Sequence, residues 1–277
     1  MRVRIKFEKT GIMRYVGHLD LMRFFQKAVK RADLNIRYSE GFNPHQIMSF
    51  ALPLGVGLTS VGEYMDIDIK NAISSETGIK LLNDNMVEGL KIVSFKYLPD
   101  EALKCMTAVS AAHYKVTYKD PFNDIVYVEN LKELKETFYD NADCINISKE
   151  TKKGTRELDL KPLIYSFDLS YVDKIPVYDL YVSCGSTDNI KPELVIKTFY
   201  NDCKLGEFDE NALDIMRIDM FTGEKNNLIS LGDIGDHFPD TESKYKDISS
   251  LVLLEEVMSL VRKEGYEVVN LDTVLVL

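Results

Sequence analysis

Between Arg14 and Tyr64 the chain reads RYVGHLDLMRFFQKAVKRADLNIRYSEGFNPHQIMSFALPLGVGLTSVGEY, and the first half of this stretch has the spacing of an amphipathic helix. Apolar residues recur at steps of three and four, which places them on one helix face. They are Leu21, Phe24, Phe25, Ala28 and Ala32. The same spacing places four cations on the opposite face, namely Arg23, Lys27, Lys30 and Arg31. We predict a helix from about Asp20 to Ala32 that buries one face and presents a cationic one.

The segment after this helix reads YSEGFNPH from Tyr38 to His45 and is rich in residues that form turns. Phe42, Asn43 and His45 lie within it. An exposed loop has little structural need for these three residue types together, so one interpretation is a binding loop. The other is a wide hairpin whose aromatic ring and imidazole pack locally. We expect two strands around the loop, at Asn35–Ser39 and Gln46–Leu52.

Composition describes a globular protein of 277 residues with 45% apolar and 28% charged residues. No run is long enough to cross a bilayer and the N-terminus has no apolar secretion segment, so we expect a cytoplasmic protein without a membrane partner. The formal charge is −10, yet residues 1–60 hold ten Lys or Arg and four Asp or Glu. A cationic segment in an acidic chain suggests an anionic partner, and nucleic acid, a phosphorylated metabolite and an acidic protein surface all fit.

Four cysteines, Cys105, Cys144, Cys184 and Cys203, are far apart and form no Cys-x-x-Cys pair. This spacing is not that of a zinc or iron–sulfur site, and we expect buried free thiols. We therefore predict no cofactor bound by this chain, and any iron–sulfur cluster that it works with would belong to a partner.

Alternation and helical periodicity give the order strand, helix, strands, helix, strand, and the same order then repeats. We predict an α+β fold with two ferredoxin-like (split βαβ) units in tandem and a short helix–strand C-terminal appendage. The predicted boundaries are 1–100, 107–225 and 228–277, with Pro99–Met106 as the linker. In the appendage we expect a helix from about Ser249 to Glu264 and a strand from Glu267 to Leu277.

The candidate binding residues combine cations with aromatic and polar side chains. They are Arg14, His18, Arg23, Lys27, Lys30, Arg31, Arg37, Phe42, Asn43 and His45. Aromatic faces beside cations suit single-stranded RNA, although contact with a protein partner and simple core packing are alternatives. Nothing in the spacing of His18, Asp20, His45 and Glu63 requires a metal site, and no residues are assigned as catalytic or metal-binding.

The run from His18 to Ile69, HLDLMRFFQKAVKRADLNIRYSEGFNPHQIMSFALPLGVGLTSVGEYMDIDI, resembles the radical SAM-linked family, a domain of unknown function. The later run GSTDNIKPELVIKTF resembles the second half of the same family, so the resemblance extends over about residues 1–225. It implies a partnership with a radical SAM protein. The Cys-x-x-x-Cys-x-x-Cys loop of such an enzyme is absent from this sequence, so we predict an accessory module that binds the enzyme and presents an anionic substrate such as RNA.

A second stretch, LGDIGDHFPDTE from Leu231 to Glu242, resembles 2-C-methyl-D-erythritol 2,4-cyclodiphosphate synthase, an enzyme of isoprenoid biosynthesis. By this resemblance the residues that contact the diphosphate substrate are Asp233, Ile234, Gly235, Phe238, Pro239, Asp240, Thr241 and Glu242. The resemblance covers about residues 228–277. Two metal-holding elements of that family, an Asp-x-His and a later His, are absent here, and the chain ends before the cytidine loop.

The alternative function is therefore a phosphorus–oxygen lyase that uses a divalent metal. Because the metal-holding elements are absent, we expect this tail to be a catalytically inactive remnant, loosely attached to the second domain.

Overall fold

The computed structural model describes residues 1–120, 130–151, 154–185 and 188–239. Its strands and helices in chain order are β1 (Arg2–Lys9), α1 (His18–Arg31), β2 (Met48–Phe50), β3 (Thr59–Asp68), α2 (Ser75–Asn83), β4 (Leu90–Tyr97), α3 (Cys105–Ala108), β5 (Ala111–Tyr118), α4 (Leu131–Lys135), β6 (Asn146–Thr151), β7 (Gly154–Asp159), β8 (Ile164–Val172), β9 (Ile175–Ser183), α5 (Pro192–Asp202), β10 (Leu213–Glu224) and β11 (Asn227–Ser230). In these ranges no helix has the length and apolar character that crossing a membrane requires.

One mixed sheet contains nine of the described strands, in the order β4-β1-β3-β10-β5-β9-β8, with β2 paired to β3 and β11 paired to β10. β6 and β7 form a separate two-stranded sheet. The predicted α+β class is confirmed. In the first half β1 lies between β4 and β3, and in the second half β5 lies between β10 and β9. Residues Met1–Phe238 form one compact unit.

The core of the first half forms where α1 packs on β1. Alternation along β1 points Val3, Ile5 and Phe7 to one face of the sheet, and all three are fully buried. Phe25 of α1 lies against Phe7, with ring centroids 4.7 Å apart, and against Phe50 of β2 at 5.6 Å. The apolar stripe predicted for the helix is therefore the surface that fixes it to the sheet.

The core of the second half is dominated by aromatic rings. Phe167 of β8 contacts Phe199 of α5 at 5.4 Å and Tyr178 of β9 at 5.9 Å, measured between ring centroids. Phe138, in the π-helical turn Glu136–Asp140 that continues α4, packs on Phe199 at 5.2 Å. These edge and tilted contacts favour one mutual orientation of the rings.

The two halves join at a seam, which we define as the pairing of β3 with β10. Among the neighbouring strand pairs of the sheet this one is parallel, and its register matches Met216 with Thr59 and Arg217 with Ser60. A Cβ at Gly62 would lie 2.2 Å from the carbonyl oxygen of Ile218, so the close approach of the strands requires glycine.

A buried ion pair also crosses the seam. Arg217 Nε donates to Glu63 Oε1 at 2.8 Å, and Arg217 Nη2 donates to Glu63 Oε2 at 2.6 Å. Arg217 is 1% exposed and Glu63 is 4% exposed. A second hydrogen bond from Nη2 reaches the carbonyl of Leu52 at 2.8 Å, so the cation also holds the segment between β2 and β3.

The prediction of strands around the loop is only partly right. Strand β2 is limited to Met48–Phe50, and the segment Asn35–Ser39 contributes only isolated bridges, Ile36 to Ile69 and Tyr38 to Gln46. Turn residues surround these positions, so the backbone bends away before a continuous ladder forms.

The predicted linker is held against the sheet. Arg4 Nη2 donates to the carbonyl of Leu103 at 2.9 Å, and the backbone N–H of Cys105 donates to Asp66 Oδ2 at 2.7 Å. These contacts order the segment and start α3 within it.

The predicted C-terminal appendage begins inside a hairpin of the main sheet, because β11 pairs with the end of β10. Leu231 is fully buried, and Asp236 forms an antiparallel bridge with Tyr97 of β4. Phe238 exchanges hydrogen bonds with Ser75 at the start of α2. The expectation of loose attachment to the second domain is thus wrong for residues 228–238, which pair with β10 of the second half and also bond to β4 and α2 of the first half. The predicted tail helix and strand lie outside the described residues.

Arg217→Met should destabilise the protein by about 3–5 kcal/mol, because it leaves the Glu63 carboxylate buried without its partner. Urea denaturation measures the change. The double variant Glu63→Leu/Arg217→Met should recover a large part of the loss, since a well-packed apolar pair removes both charges.

Arg23→Met, which breaks an exposed ion pair with Asp20, is the control and should change stability by less than about 1 kcal/mol. A loss for Arg217→Met no larger than that of this control would refute a structural role for the pair.

Candidate functional site

The polar face of α1 presents its cations to solvent. Arg23, Lys27, Lys30 and Arg31 are all exposed, whereas Leu21, Phe25 and Val29 on the opposite face are buried. Arg23 Nη1 lies 3.0 Å from Asp20 Oδ1, and Arg31 donates to the carbonyl of Asn85 at 3.2 Å. The face is therefore a solvated cationic surface.

The loop from Tyr38 to Gln46 is closed by hydrogen bonds at its base. The Ser39 N–H donates to the His45 carbonyl at 2.8 Å, and Ser39 Oγ lies 2.8 Å from His45 Nδ1. Phe42 is fully exposed near the tip, and Asn43 and His45 are exposed as well. The Phe42 ring therefore does not pack in the core, while the His45 imidazole bonds within the loop.

Gln46 links the loop to α1. Its side chain is buried, and its Nε2 donates to the backbone carbonyl of Gln26 at 3.2 Å. The loop therefore lies beside the cationic helix, and its residues Arg37 and His45 reach a groove on the other side.

This groove has a volume of about 610 Å³ and lies between the N-terminus, β2, the end of β3 and the segment before α3. Its lining residues are Met1, Arg2, Arg37, His45, Ile47, Met48, Ser49, Asp66, Ile67, Asp68, Asp100, Lys104 and Met106. Of the predicted site residues, Arg37 and His45 line it, while the four cations of α1 do not.

Two of the groove carboxylates are already bonded. Asp66 accepts from Arg4 Nε at 2.8 Å and from Arg4 Nη2 at 3.0 Å. Asp68 Oδ1 accepts from the Met1 ammonium at 3.0 Å and lies 3.7 Å from Arg37 Nε. Burial raises the pKa of the neighbouring Cys105 thiol to about 12, so this cysteine is a protonated core residue.

The structure places Arg14 and His18 at the seam, away from the exposed cations. Arg14 Nε donates to the carbonyl of Gly57 at 2.9 Å, and its Nη2 pairs with Asp214. His18 lines a cavity of about 10 Å³ together with Lys9 and Glu63. That volume is about one water molecule, so the cavity has no room for a substrate.

Lys9 and Arg217 are, with Arg4, buried cations that the sequence analysis did not single out. Lys9 follows Val3, Ile5 and Phe7 on the apolar face of β1 and is 1% exposed. Burial lowers the pKa of Lys9, and the Glu63 carboxylate opposes that shift. For Arg217, burial acts to lower the pKa, but the Glu63 carboxylate outweighs it and the pKa is raised. The sequence pattern that could have identified them is a cation at an alternate position of a strand, on the same face as its buried apolar residues.

Of the residues predicted to contact diphosphate, Gly235 and Phe238 lie against β4, and Phe238 also bonds to the start of α2. Asp233 ends a 3-10 turn and is exposed, and Pro239 is exposed. Ile234 and Phe238 are half-buried. Gly235 has a φ of +92°, and a Cβ added at this position would lie 2.5 Å from the carbonyl oxygen of Tyr97.

Asp240, Thr241 and Glu242 lie outside the described residues. In the described ranges no group of three or more His, Cys, Asp or Glu side chains is arranged to hold a metal ion.

The fold and surface define an α+β protein with one mixed sheet and a cationic helix beside a groove. The chain belongs to the family described as "Uncharacterized protein conserved in bacteria (DUF2344)", whose model matches residues 2–192. A second model, the YgbB family, matches residues 226–277.

Curated relatives are 2-C-methyl-D-erythritol 2,4-cyclodiphosphate synthases. That of Brachyspira hyodysenteriae is 44% identical over 72 residues, which cover 26% of this chain and 43% of the relative. That of Clostridium novyi is 37% identical over 99 residues, which cover 36% of this chain and 59% of the relative. The chain thus spans about half the length of these relatives.

A solved Cbf5–Nop10–Gar1 complex matches with a TM-score of 0.40 and 9% sequence identity. The match covers 79% of this chain and 48% of that chain, and the likeness is too weak to support a conclusion.

The stability of the protein should depend on the protonation of His18. Burial lowers the pKa of His18 from its ordinary value of 6.5, and Glu63 opposes that shift. The folded state therefore binds fewer protons than the unfolded state below pH 6.5. The contribution of His18 is complete above that pH and is lost as the pH falls through its folded pKa.

The test compares the free energy of unfolding of the wild type and His18→Phe in urea between about pH 5 and pH 8. The wild type should lose stability relative to the variant on acidification. His45→Phe, at an exposed position, is the control for loss of an imidazole. Parallel pH profiles for the wild type and His18→Phe would contradict the prediction.

Proposed function

We propose that the DUF2344 part of this chain is an accessory module that binds single-stranded RNA and presents it to a radical SAM enzyme. The observation that carries the proposal is the exposed cationic face of α1 beside a loop whose Phe42 ring is fully exposed. Cations attract the phosphates of a nucleic acid, and an exposed ring offers a face on which a base can stack.

The distribution of charge supports an anionic ligand at this face. Residues 1–60 hold ten of the 34 Lys and Arg of the chain but only four of its 44 Asp and Glu. The loop adds Tyr38, which is 48% exposed, and the half-exposed guanidinium of Arg37. Aromatic rings interleaved with cations suit unpaired bases, which stack on the rings while their phosphates meet the cations.

The radical SAM partner is proposed from the resemblance of the run between His18 and Ile69 to a family that occurs beside such enzymes. In this assignment the partner supplies the iron–sulfur cluster and the radical chemistry. The role of this chain is then to bind and position the substrate.

Replacing Arg23, Lys27, Lys30 and Arg31 with Gln should weaken RNA binding without unfolding the protein, because all four side chains are exposed. With a single-stranded RNA of about 12 nucleotides, the slope of log affinity against log salt should decrease in magnitude by up to about 3. Fluorescence anisotropy at several salt concentrations measures both quantities.

The matched control replaces four exposed lysines of the second half, Lys119, Lys174, Lys191 and Lys204, with Gln. It changes the net charge equally and should leave binding nearly unchanged. Equal losses in the two quadruple variants would indicate a non-specific charge effect and contradict the proposal, as would unchanged binding in the α1 variant. A protein ligand that binds this face in place of RNA would also overturn it.

A second candidate function rests on the identity of 44% over 72 residues to a cyclodiphosphate synthase. We propose that the segment from residue 226 is related to that enzyme but does not catalyse its reaction in this chain alone. The reason is that the metal-holding Asp-x-His and later His of the family are absent from the sequence. Without a metal ion the diphosphate lacks the polarisation that lowers the barrier by several kcal/mol.

We expect the purified chain to show no synthase turnover above background with the cytidine-containing diphosphate substrate and magnesium or manganese. The product is measured by chromatography, with a complete synthase as the positive control. Turnover that disappears in Asp233→Ala would refute this prediction and would identify the chain as a lyase.

A further inference from the structure

We propose that the groove between β2 and α3 is a pocket for one nucleotide, with the phosphate on Arg37 and Lys104 and the base against Ile47, Met48 and Met106. The inference rests on the proposed RNA-binding function, because it names the place where a single nucleotide of that RNA is held. The groove volume of about 610 Å³ lies within the range of small-molecule sites in proteins.

Two cations of the groove remain available to an anionic ligand, because most of the other charged groups are bonded within the protein. Its charged groups are the Met1 ammonium, Arg2, Arg37, Lys104, Asp66, Asp68 and Asp100. Asp66 is neutralised by the bidentate Arg4, and Asp68 is bonded to the Met1 ammonium. Arg2 Nη2 is bonded to backbone carbonyls, including that of Asp100 at 3.3 Å.

Arg37 and Lys104 are thus the groove cations least committed to the protein. The Arg37 side chain is 52% exposed and lies 3.7 Å from Asp68, a loose ion pair. Lys104 is exposed. A guanidinium and an ammonium at one groove match the oxygens of a phosphate, which accept charge-assisted hydrogen bonds from both.

The apolar part of the groove provides a surface for a base. Ile47 is 39% exposed and Met106 is 60% exposed, and Met48 lies beside them in the lining. Methionine side chains are flexible and polarizable, and they make favourable contacts with aromatic rings. Exposed apolar side chains in the same groove as Arg37 and Lys104 fit a ligand that is planar at one end and anionic at the other.

The remaining polar groups match the sugar and the base edge. Asp100 is exposed, and Ser49 lies in the lining with a hydroxyl group. A carboxylate accepts hydrogen bonds from ribose hydroxyls or an exocyclic amine, and a hydroxyl can donate or accept. Inorganic phosphate would use only the two cations, so the apolar contacts separate a nucleotide from free phosphate.

The experiment titrates the full chain with adenosine monophosphate, uridine monophosphate and inorganic phosphate by isothermal calorimetry. At least one nucleotide should bind more tightly than phosphate. Arg37→Gln and Lys104→Gln should each reduce nucleotide affinity about tenfold, the loss of a charge-assisted hydrogen bond. Met106→Glu should reduce nucleotide affinity further, because a carboxylate on the apolar surface repels the phosphate.

Leu103→Glu is the matched control for Met106→Glu. Leu103 is 62% exposed and three residues away in the same segment, but it does not line the groove. This variant should bind nucleotide as the wild type does. Equal loss in both variants, no nucleotide binding by the wild type, phosphate binding as tight as nucleotide, or binding unaffected by Arg37→Gln and Lys104→Gln would each overturn the proposal. An acidic peptide that binds the groove in preference to a nucleotide would also overturn it.

Binding of a mononucleotide and binding of a longer RNA can be measured separately, so the groove assignment and the proposed function are tested independently. Lys27→Gln/Lys30→Gln should weaken binding of the longer RNA and leave mononucleotide affinity unchanged, because neither lysine lines the groove. Tight RNA binding without mononucleotide binding would refute the groove alone. Mononucleotide binding without RNA binding would refute the proposed RNA function and leave the groove as a nucleotide site.

Discussion

The bidentate ion pair between Arg217 and Glu63 joins the two halves of the protein where β3 pairs with β10 over a short register. The two residues are 154 positions apart in sequence and are both almost completely buried. A buried pair is costly to desolvate, so its contribution depends on geometry and on satisfying the remaining donors. Here Arg217 also bonds to the Leu52 carbonyl, and the pair therefore sets the path of the chain between β2 and β3 as well.

That path determines where the candidate binding surface lies. Because β2 pairs with β3 and α1 packs on β1, the loop that connects α1 to β2 is confined to one edge of the sheet. Gln46 bonds it to the helix, and Arg37 and His45 reach the groove. The seam and the binding surface are thus connected through backbone geometry, while their charges remain separate. The seam charges are buried and stabilise the fold, whereas those of α1 are solvated and available to a ligand.

The two family models match different parts of the chain, and the structure shows which elements each part forms. The DUF2344 match covers α1, the groove from Arg2 onward and the strands from β1 to β9, and it leaves the biochemical role open. The YgbB match begins in the β10–β11 hairpin, so the start of the synthase-like segment is part of the main sheet. Residues that contact diphosphate in the resemblance, such as Gly235, here approach the backbone of β4. The same residue types therefore have a structural role in this chain.

Local periodicity by itself determined the position of α1 and the order of strands and helices, although α3 begins within the segment expected to be a linker. It also determined which face of α1 is buried, because three- and four-residue spacing places residues on one side of a helix whatever it packs against. The α+β class followed from the order of these elements. Tertiary structure alone decided that both halves share one sheet, since strand pairing depends on residues far apart in sequence. It also decided that His18 and Arg14 belong to the seam, and that Lys104 and Met106 meet Arg37 across a groove. Exposed cations and buried cations look alike in a sequence, and only the packing around them distinguishes a binding surface from a structural ion pair.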